Sequence, residues 1–286
     1  MSYKIIFMLI IATFSVSTSP IIAKMLTNVP AVAIAFWRMA FASIILWIYY
    51  FINPTKIHQK KNLKKTFIAG ILLGVHFAFF FGSIKYTTIS NATFLGTLAP
   101  LFILIIEILI FKNKFSPIIY ISLTISFLGS IIIFSGDLNF EIMLIKGNLF
   151  AILCSLWLAL SFLISSSVRK VENTISYSRV LYLSATLCLL IISFFQKLNL
   201  FSYTINDYFG LFLLGVIPTL IGHNFMYYSM KYVSPAVVSL FPLGEPVIAS
   251  IFAFYLFNEL ISINIIFGGT FILIGLFLII SKKVSK

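Results

Sequence analysis

The sequence predicts an all-α polytopic membrane protein, with ten transmembrane helices arranged as two inverted five-helix repeats. Three observations carry this prediction. Hydrophobic residues make up 61% of the 286 and charged residues only 9%, whereas soluble domains run near ~45–50% and ~25%. Ten apolar stretches, each able to cross a hydrocarbon core of about 20 residues, follow one another with short connections. A constant shift of 146 residues brings the two halves into register. Disorder is excluded because it requires low hydrophobicity, and glycine and proline are too few for a collagen-like fibre.

The first stretch, 4–23, follows Lys4 and resembles a signal peptide. It is read as a retained span because the repeat needs it. The second, 31–52, carries Arg38 in Phe36-Trp37-Arg38. A polar segment from Asn53 to Thr66 follows, with Lys56, His58, Lys60, Lys61, Lys64 and Lys65. The third span, 67–84, holds His76 among phenylalanines, and the fourth, 91–111, contains Gly96, Pro100 and Glu107. The fifth, 117–135, includes Gly129. Spans 147–168 and 175–195 carry Cys154 and Cys188, read as buried small residues because neither disulfide nor metal spacing is available. Span 208–230 contains His223 and Asn224.

The ninth span, 235–257, is interrupted by Phe241-Pro242-Leu243-Gly244-Glu245-Pro246. The prolines lack amide donors and crowd the preceding turn, and Gly244 adds flexibility, so a discontinuous helix with freed carbonyls is expected beside Glu245. The tenth span, 262–281, has Gly268, Gly269 and Gly275 for close helix contact. No soluble domain is inserted.

Under the 146-residue shift, Lys85-Tyr86 falls on Lys231-Tyr232, Pro100 on Pro246, Phe111 on Phe257, Ser116 on Ser262 and Gly129 on Gly275. The repeats are placed at 1–143 and 144–286. An odd number of spans makes the second copy enter from the opposite side, a common plan for secondary transporters. The net charge of +13 would suggest nucleic acid in a soluble protein. Here fifteen of the twenty basic residues fall on one predicted face, four (Lys24, Lys85, Lys146 and Lys197) on the other, and Arg38 within a span. The positive-inside rule then places both termini in the cytoplasm of a multi-pass cytoplasmic-membrane protein, with the bilayer and not nucleic acid as its partner.

Ionisable groups at membrane depth usually mark a pathway. Glu245 lies near the midplane, and its position in the first repeat is Ala99. It either binds a cationic group or a proton, or serves as a structural partner. Arg38 either grips a carboxylate bidentately or snorkels outward. His76 and His223 fall one residue apart in repeat space, and each either lines a pathway or is a packing residue. Glu107 is read as a snorkelled partner of the basic loop at Lys112 and Lys114, and Lys85 and Lys231 as interfacial lysines.

No phosphate-binding loop, HExxH motif or Cys/His cluster is present. No cofactor, metal or catalytic activity is expected.

The motifs resemble the drug/metabolite transporter superfamily, in its EamA-type ten-span branch. The resemblance runs through Phe36-Trp37-Arg38, Val75-His76-Phe77, Ile84-Lys85-Tyr86-Thr87-Thr88 and Thr97-Leu98-Ala99-Pro100-Leu101-Phe102. It continues through Ile217-Pro218-Thr219-Leu220-Ile221-Gly222-His223-Asn224, Lys231-Tyr232-Val233-Ser234, Ser239-Leu240-Phe241-Pro242-Leu243-Gly244-Glu245-Pro246 and Phe257-Asn258-Glu259. The family's Gly-Glu after span 4 is replaced here by Lys112-Asn113. The resemblance implies a secondary carrier of a small organic solute, amino acid-like or drug-like, working by alternating access. It puts His76, Pro100, His223, Asn224 and Glu245 on helices around a central cavity. Export is the expected direction, with uptake as its rival and a non-transporting scaffold or lipid-handling protein as the reading from another class. Protons are the candidate coupling ion, and the chain is expected as a monomer or homodimer.

Overall fold

The computed structural model describes residues 1–54, 59–87, 89–135, 142–258, 261 and 263–281. Lys56, His58, Thr88, Glu259, Ser262, Lys282, Lys283 and Lys286 lie outside the described residues. The chain folds as ten apolar helical passes. The first three are α1 (Tyr3–Met25), α2 (Ala31–Ile52) and α3 (Lys60–Tyr86). The fourth is divided into α4 (Ile89–Gly96) and α5 (Ala99–Leu109). Then come α6 (Pro117–Ser135), α7 (Ile142–Arg169) and α8 (Thr174–Phe195). The eighth pass joins α9 (Ile205–Leu214), a π-helical stretch Gly215–His223 and α10 (Asn224–Ser229). The ninth joins α11 (Pro235–Leu240), a 3₁₀ turn Phe241–Gly244 and α12 (Glu245–Phe257), and α13 (Ile263–Ser281) is the tenth. Among the described residues, nine passes are long and apolar enough to cross a membrane, and Pro117–Ile132 is a shorter apolar helix in fifth place.

Local chemistry sets the helix ends. Asn173 accepts a hydrogen bond from the Ile175 amide at the start of α8, and Thr204 with Asp207 closes a capping box at α9. The third pass begins at Lys60, earlier than its apolar run. Lysine and leucine are good helix formers, so α3 carries Lys60, Lys61, Lys64 and Lys65 on a helical extension and not in a loop. Asn62 Nδ2 donates to Glu172 Oε1 at 2.7 Å, which ties that extension to the turn after α7.

Backbone geometry repeats at the 146-residue interval. Leu98 (φ −73°, ψ −2°) precedes α5, and its mate Gly244 (φ −74°, ψ −10°) precedes α12. Lys112 (φ 53°) and its mate Asn258 (φ 54°) are both left-handed after those half-helices. The contact between α6 and α13 is reciprocal. A Cβ on Gly129 would come within 2.4 Å of the Gly268 carbonyl oxygen, and one on Gly275 within 2.7 Å of the Ser122 carbonyl oxygen. Gly129 and Gly275 are mates, as are Ser122 and Gly268. Such exchange of contacts is the signature of a two-fold relation, here within one chain. Close approach without side chains is how apolar helices gain dispersion contacts in lipid. Between the halves the core is lined by α1, α2, α3, the divided fourth pass, α7 and the interrupted eighth and ninth passes.

Candidate central cavity

The interrupted passes build the site. Pro218 has no amide to offer the Leu214 carbonyl, and the Thr219 hydroxyl donates to that oxygen at 2.9 Å. The Thr219 oxygen then accepts from Arg38 Nε at 2.8 Å. Arg38 Nη1 donates to Ser19 Oγ at 2.7 Å, and the guanidinium lies 4.0 Å from the centroid of the Phe77 ring. Arg38 is 1% exposed, so it does not snorkel; its fork is held by three elements inside the protein.

Glu245 is 8% exposed and opens α12. The expected gap in the helix is instead a tightened 3₁₀ turn. Pro242 and Pro246 both occupy the first two positions of their segments, where a missing amide costs nothing. Glu245 therefore sits at the positive end of a half-helix dipole, which favours an acidic group, and not beside freed carbonyls. Gly244 has ordinary helical angles, so its flexibility is not drawn on here.

His76 Nδ1 lies 2.8 Å from the Cys154 carbonyl oxygen. A carbonyl only accepts, so this nitrogen carries the proton, which leaves Nε2 as the acceptor in the neutral ring. The His223 ring meets Phe77 edge to face, and its Nδ1 is buried without a partner.

A cavity of about 50 Å³ is lined by Arg38, His76, His223, Glu245, Gly96 and Pro242, together with Ser19, Phe77, Ala99 and Ser239. Residues from both halves contribute. Arg38 and Glu245 both line this space. Among the described residues, Pro100, Gly244, Pro246 and Asn224 stand outside the lining. Asn224 Oδ1 accepts from the Tyr182 hydroxyl at 2.9 Å in the surrounding wall.

Glu107 is more buried than expected, at 7% exposed, yet its carboxyl reaches the basic loop through a side-chain hydrogen bond with Asn113, and Lys170 just after α7 is a neighbouring cation. Sequence reasoning missed Ser19, Thr219 and Phe77 as the residues that hold Arg38. The Pro218-Thr219 pair was the available signal, a midspan proline followed by a hydroxyl that can replace its missing donor.

Comparisons with known proteins agree with this architecture. The model of the EamA-like transporter family matches residues 3–135 and again 145–281. An uncharacterized transporter of Clostridium kluyveri is 26% identical over 283 residues, covering 94% of this chain and 90% of that protein. The uncharacterized transporter YxxF of Bacillus subtilis (strain 168) is 22% identical over 228 residues, 78% of this chain and 72% of the relative. A solved crystal structure superposes with a TM-score of 0.80 at 14% identity, covering 98% of this chain and 97% of the other, a likeness of fold.

Proposed function

Since the chain belongs to the EamA-like transporter family, we propose that it is a secondary carrier that exports a small organic solute across the cytoplasmic membrane by alternating access. The observation that carries the reading is the sharing of one buried cavity by Arg38 and Glu245, between the halves. Buried opposite charges that do not neutralise each other in direct contact are costly, and intramembrane ionisable groups mark substrate or ion pathways. Glu245 is the main polar anchor or proton-linked switch in this proposal. Arg38 and the two histidines are secondary contacts, and the two halves rock about the cavity. Both termini lie in the cytoplasm, where the lysine-rich start of α3 and the Arg169-Lys170 end of α7 face. At about 50 Å³ the cavity takes only a few waters, so the described conformation is an occluded one.

The test is flux in proteoliposomes with an imposed pH gradient. The solute pool is one identified by comparing metabolites inside and outside cells with and without the protein. Glu245→Gln and Glu245→Ala are expected to abolish accumulation while inserting normally. Unimpaired transport by correctly inserted variants would overturn the role given to the carboxyl.

A further inference from the structure

The seam between α3 and α8 opens toward the rim that carries Lys24, Lys85, Lys146 and Lys197. At its start the two helices touch: a Cβ on Gly70 would come within 2.4 Å of the Leu181 carbonyl oxygen, and one on Gly74 within 2.9 Å of the Ala185 oxygen. Further along α3, a Cβ on Gly82 would meet only the Phe150 ring of α7, with no atom of α8 within 4 Å. The gap is a groove of about 620 Å³, with Val75, Ala78 and Phe79 of α3 and Ile192 of α8 among its walls. Beside it on α8, Ile191 and Phe195 are 57% and 78% exposed, so the groove opens onto the apolar belt that meets lipid chains. From Val75 to Lys85 the helix rises about 15 Å, half of a hydrocarbon core of ~30 Å, which is the depth of one leaflet. Two of the four basic residues of that rim meet at its end. Lys85 is exposed, and its Nζ donates to the Leu26 and Thr27 carbonyl oxygens at 3.2 and 3.1 Å. An ammonium has three N–H groups, so one is left. Lys146 Nζ lies 4.2 Å from the centroid of the Tyr86 ring and 5.7 Å from that of Phe150, and both rings line the groove. Among the described residues of the lining there is no carboxylate. The mates of Ala78 and Gly82 are Asn224 and Tyr228, so the second half carries bulk where the first leaves room.

We infer that this groove holds one phospholipid with an anionic headgroup, its chain against Val75, Ala78, Phe79 and Ile192 and its phosphate at Lys85 and Lys146. The depth of one leaflet and the opening onto lipid select a phospholipid over a soluble anion. Two cations without an acid select an anionic headgroup over a zwitterionic one, whose ammonium meets like charge here. The place on the helix gives the lipid a consequence. Val75, Ala78, Phe79 and Gly82 share one face of α3 by their three- and four-residue spacing, whereas His76, Phe77 and Phe80 on the opposite face line the central cavity. The bound chain therefore braces, from behind, the helix that walls the cavity. Occupancy of the groove is independent of the carrier reading above; only the assignment of the rim to the outer leaflet is shared with it.

The test uses full-length protein in phosphatidylcholine nanodiscs that contain a trace of phosphatidylglycerol, or of phosphatidylcholine, with a photoreactive diazirine near the chain end. Labelled peptides are mapped by mass spectrometry. The phosphatidylglycerol tracer should label residues 75–82 of α3 and the neighbourhood of Ile192 at about tenfold the yield of the phosphatidylcholine tracer. Lys146→Gln, at an exposed position, should lower that yield about fivefold, the scale of one interfacial lysine against an anionic lipid. Lys85→Gln should lower it at least as far, and Lys85→Arg should restore it. Ala78→Trp should fill the groove and remove labelling at these positions by both tracers, with the lysines in place. Lys24→Gln, on the same rim but over the Phe257 ring, should leave the yield unchanged. Equal yields from the two tracers, an unchanged yield in both Lys146→Gln and Lys85→Gln, an equal fall in Lys24→Gln, or labelling that survives Ala78→Trp would overturn the site. Displacement of the tracer by free glycerol phosphate as readily as by unlabelled phosphatidylglycerol would make the occupant a soluble anion and overturn the lipid. Flux is not read in this test, so an empty groove and a failed carrier reading are distinguishable.

Discussion

Phe77 and His223 occupy the same place in the two halves, 146 residues apart, and they touch each other, with ring centroids 5.4 Å apart and planes at 73°. A residue meets its own mate only where the two-fold axis passes. The axis therefore runs through the central cavity, and the divergence of this pair gives its two sides different chemistry: one half contributes a ring face, the other an imidazole. The ring face is occupied by the Arg38 guanidinium at 4.0 Å.

Phe77→Leu should accordingly lower stability by more than the lost packing alone. A desolvated cation–π contact contributes about 2 kcal/mol, and leucine offers no quadrupole to replace it. Thermal unfolding in nanodiscs should show the deficit, and Phe77→Tyr should restore most of it. An equal loss in both variants would show that Arg38 does not depend on the ring.

Arg38 and Glu245 should behave as a coupled pair although no direct bond joins them. Removing one buried charge leaves the other without compensation. Arg38→Gln and Glu245→Gln are each expected to destabilise the protein, and the double variant by less than the sum. The double-mutant coupling should exceed about 0.5 kcal/mol. Additive effects would mean that the two charges do not sense each other across the cavity.

Lys112, in the turn after α5, has φ 53°, as its mate Asn258 has φ 54°. A lysine pays for a left-handed angle that glycine adopts freely, at about 1–2 kcal/mol. Lys112→Gly should therefore raise the midpoint of unfolding, and Lys112→Val should lower it. A fall with glycine would mean that the lysine side chain makes a contact worth more than the backbone strain.

The glycines separate by the room around them. Gly129→Ala forces a Cβ to within 2.4 Å of a backbone oxygen on α13, and overpacking of that kind costs about 1–3 kcal/mol. Gly244→Ala meets only Thr13 and Leu276 side chains at 3.4 and 3.5 Å, which is ordinary contact. Unfolding should register the first substitution and hardly the second. A transport defect confined to Gly244→Ala would show that the ninth pass flexes during the cycle although it does not in this state.

The contrast between Gly129 and Gly244 also shows what was legible in the sequence. Apolar length and spacing placed every pass, because the need to satisfy backbone groups inside lipid leaves helices as the only choice for such runs. The shift that aligned Gly129 with Gly275 is mirrored in the contact between α6 and α13. Arg38, His76, His223 and Glu245 could be singled out because polar groups are scarce at that depth. Of the holders of Arg38, Thr219 is marked by the proline before it, but Ser19 is one among many hydroxyls and its value depends on neighbours far away in the chain. The form of the ninth-pass interruption was also misread. Two prolines signal a break, but when each falls at the start of a segment the chain tightens and does not unwind.

The asymmetry between the two rims leads to the last prediction. Lys24 Nζ stands 4.7 Å from the centroid of the Phe257 ring. Their mates are Lys170 and Phe111, both exposed. In a protein built from inverted copies, the state open to one side is reached from the other when the halves exchange conformations. The Lys24–Phe257 contact at one rim should then alternate with a Lys170–Phe111 contact at the other. Cysteine pairs at 24/257 and at 170/111, bridged by a short bifunctional thiol reagent, measure this directly. The first pair should cross-link in the state described here, and bridging either pair should stop flux until reductant is added. Conditions that raise the yield of one should lower the yield of the other. If both bridges formed together in single molecules without loss of flux, the rims would not be alternating gates.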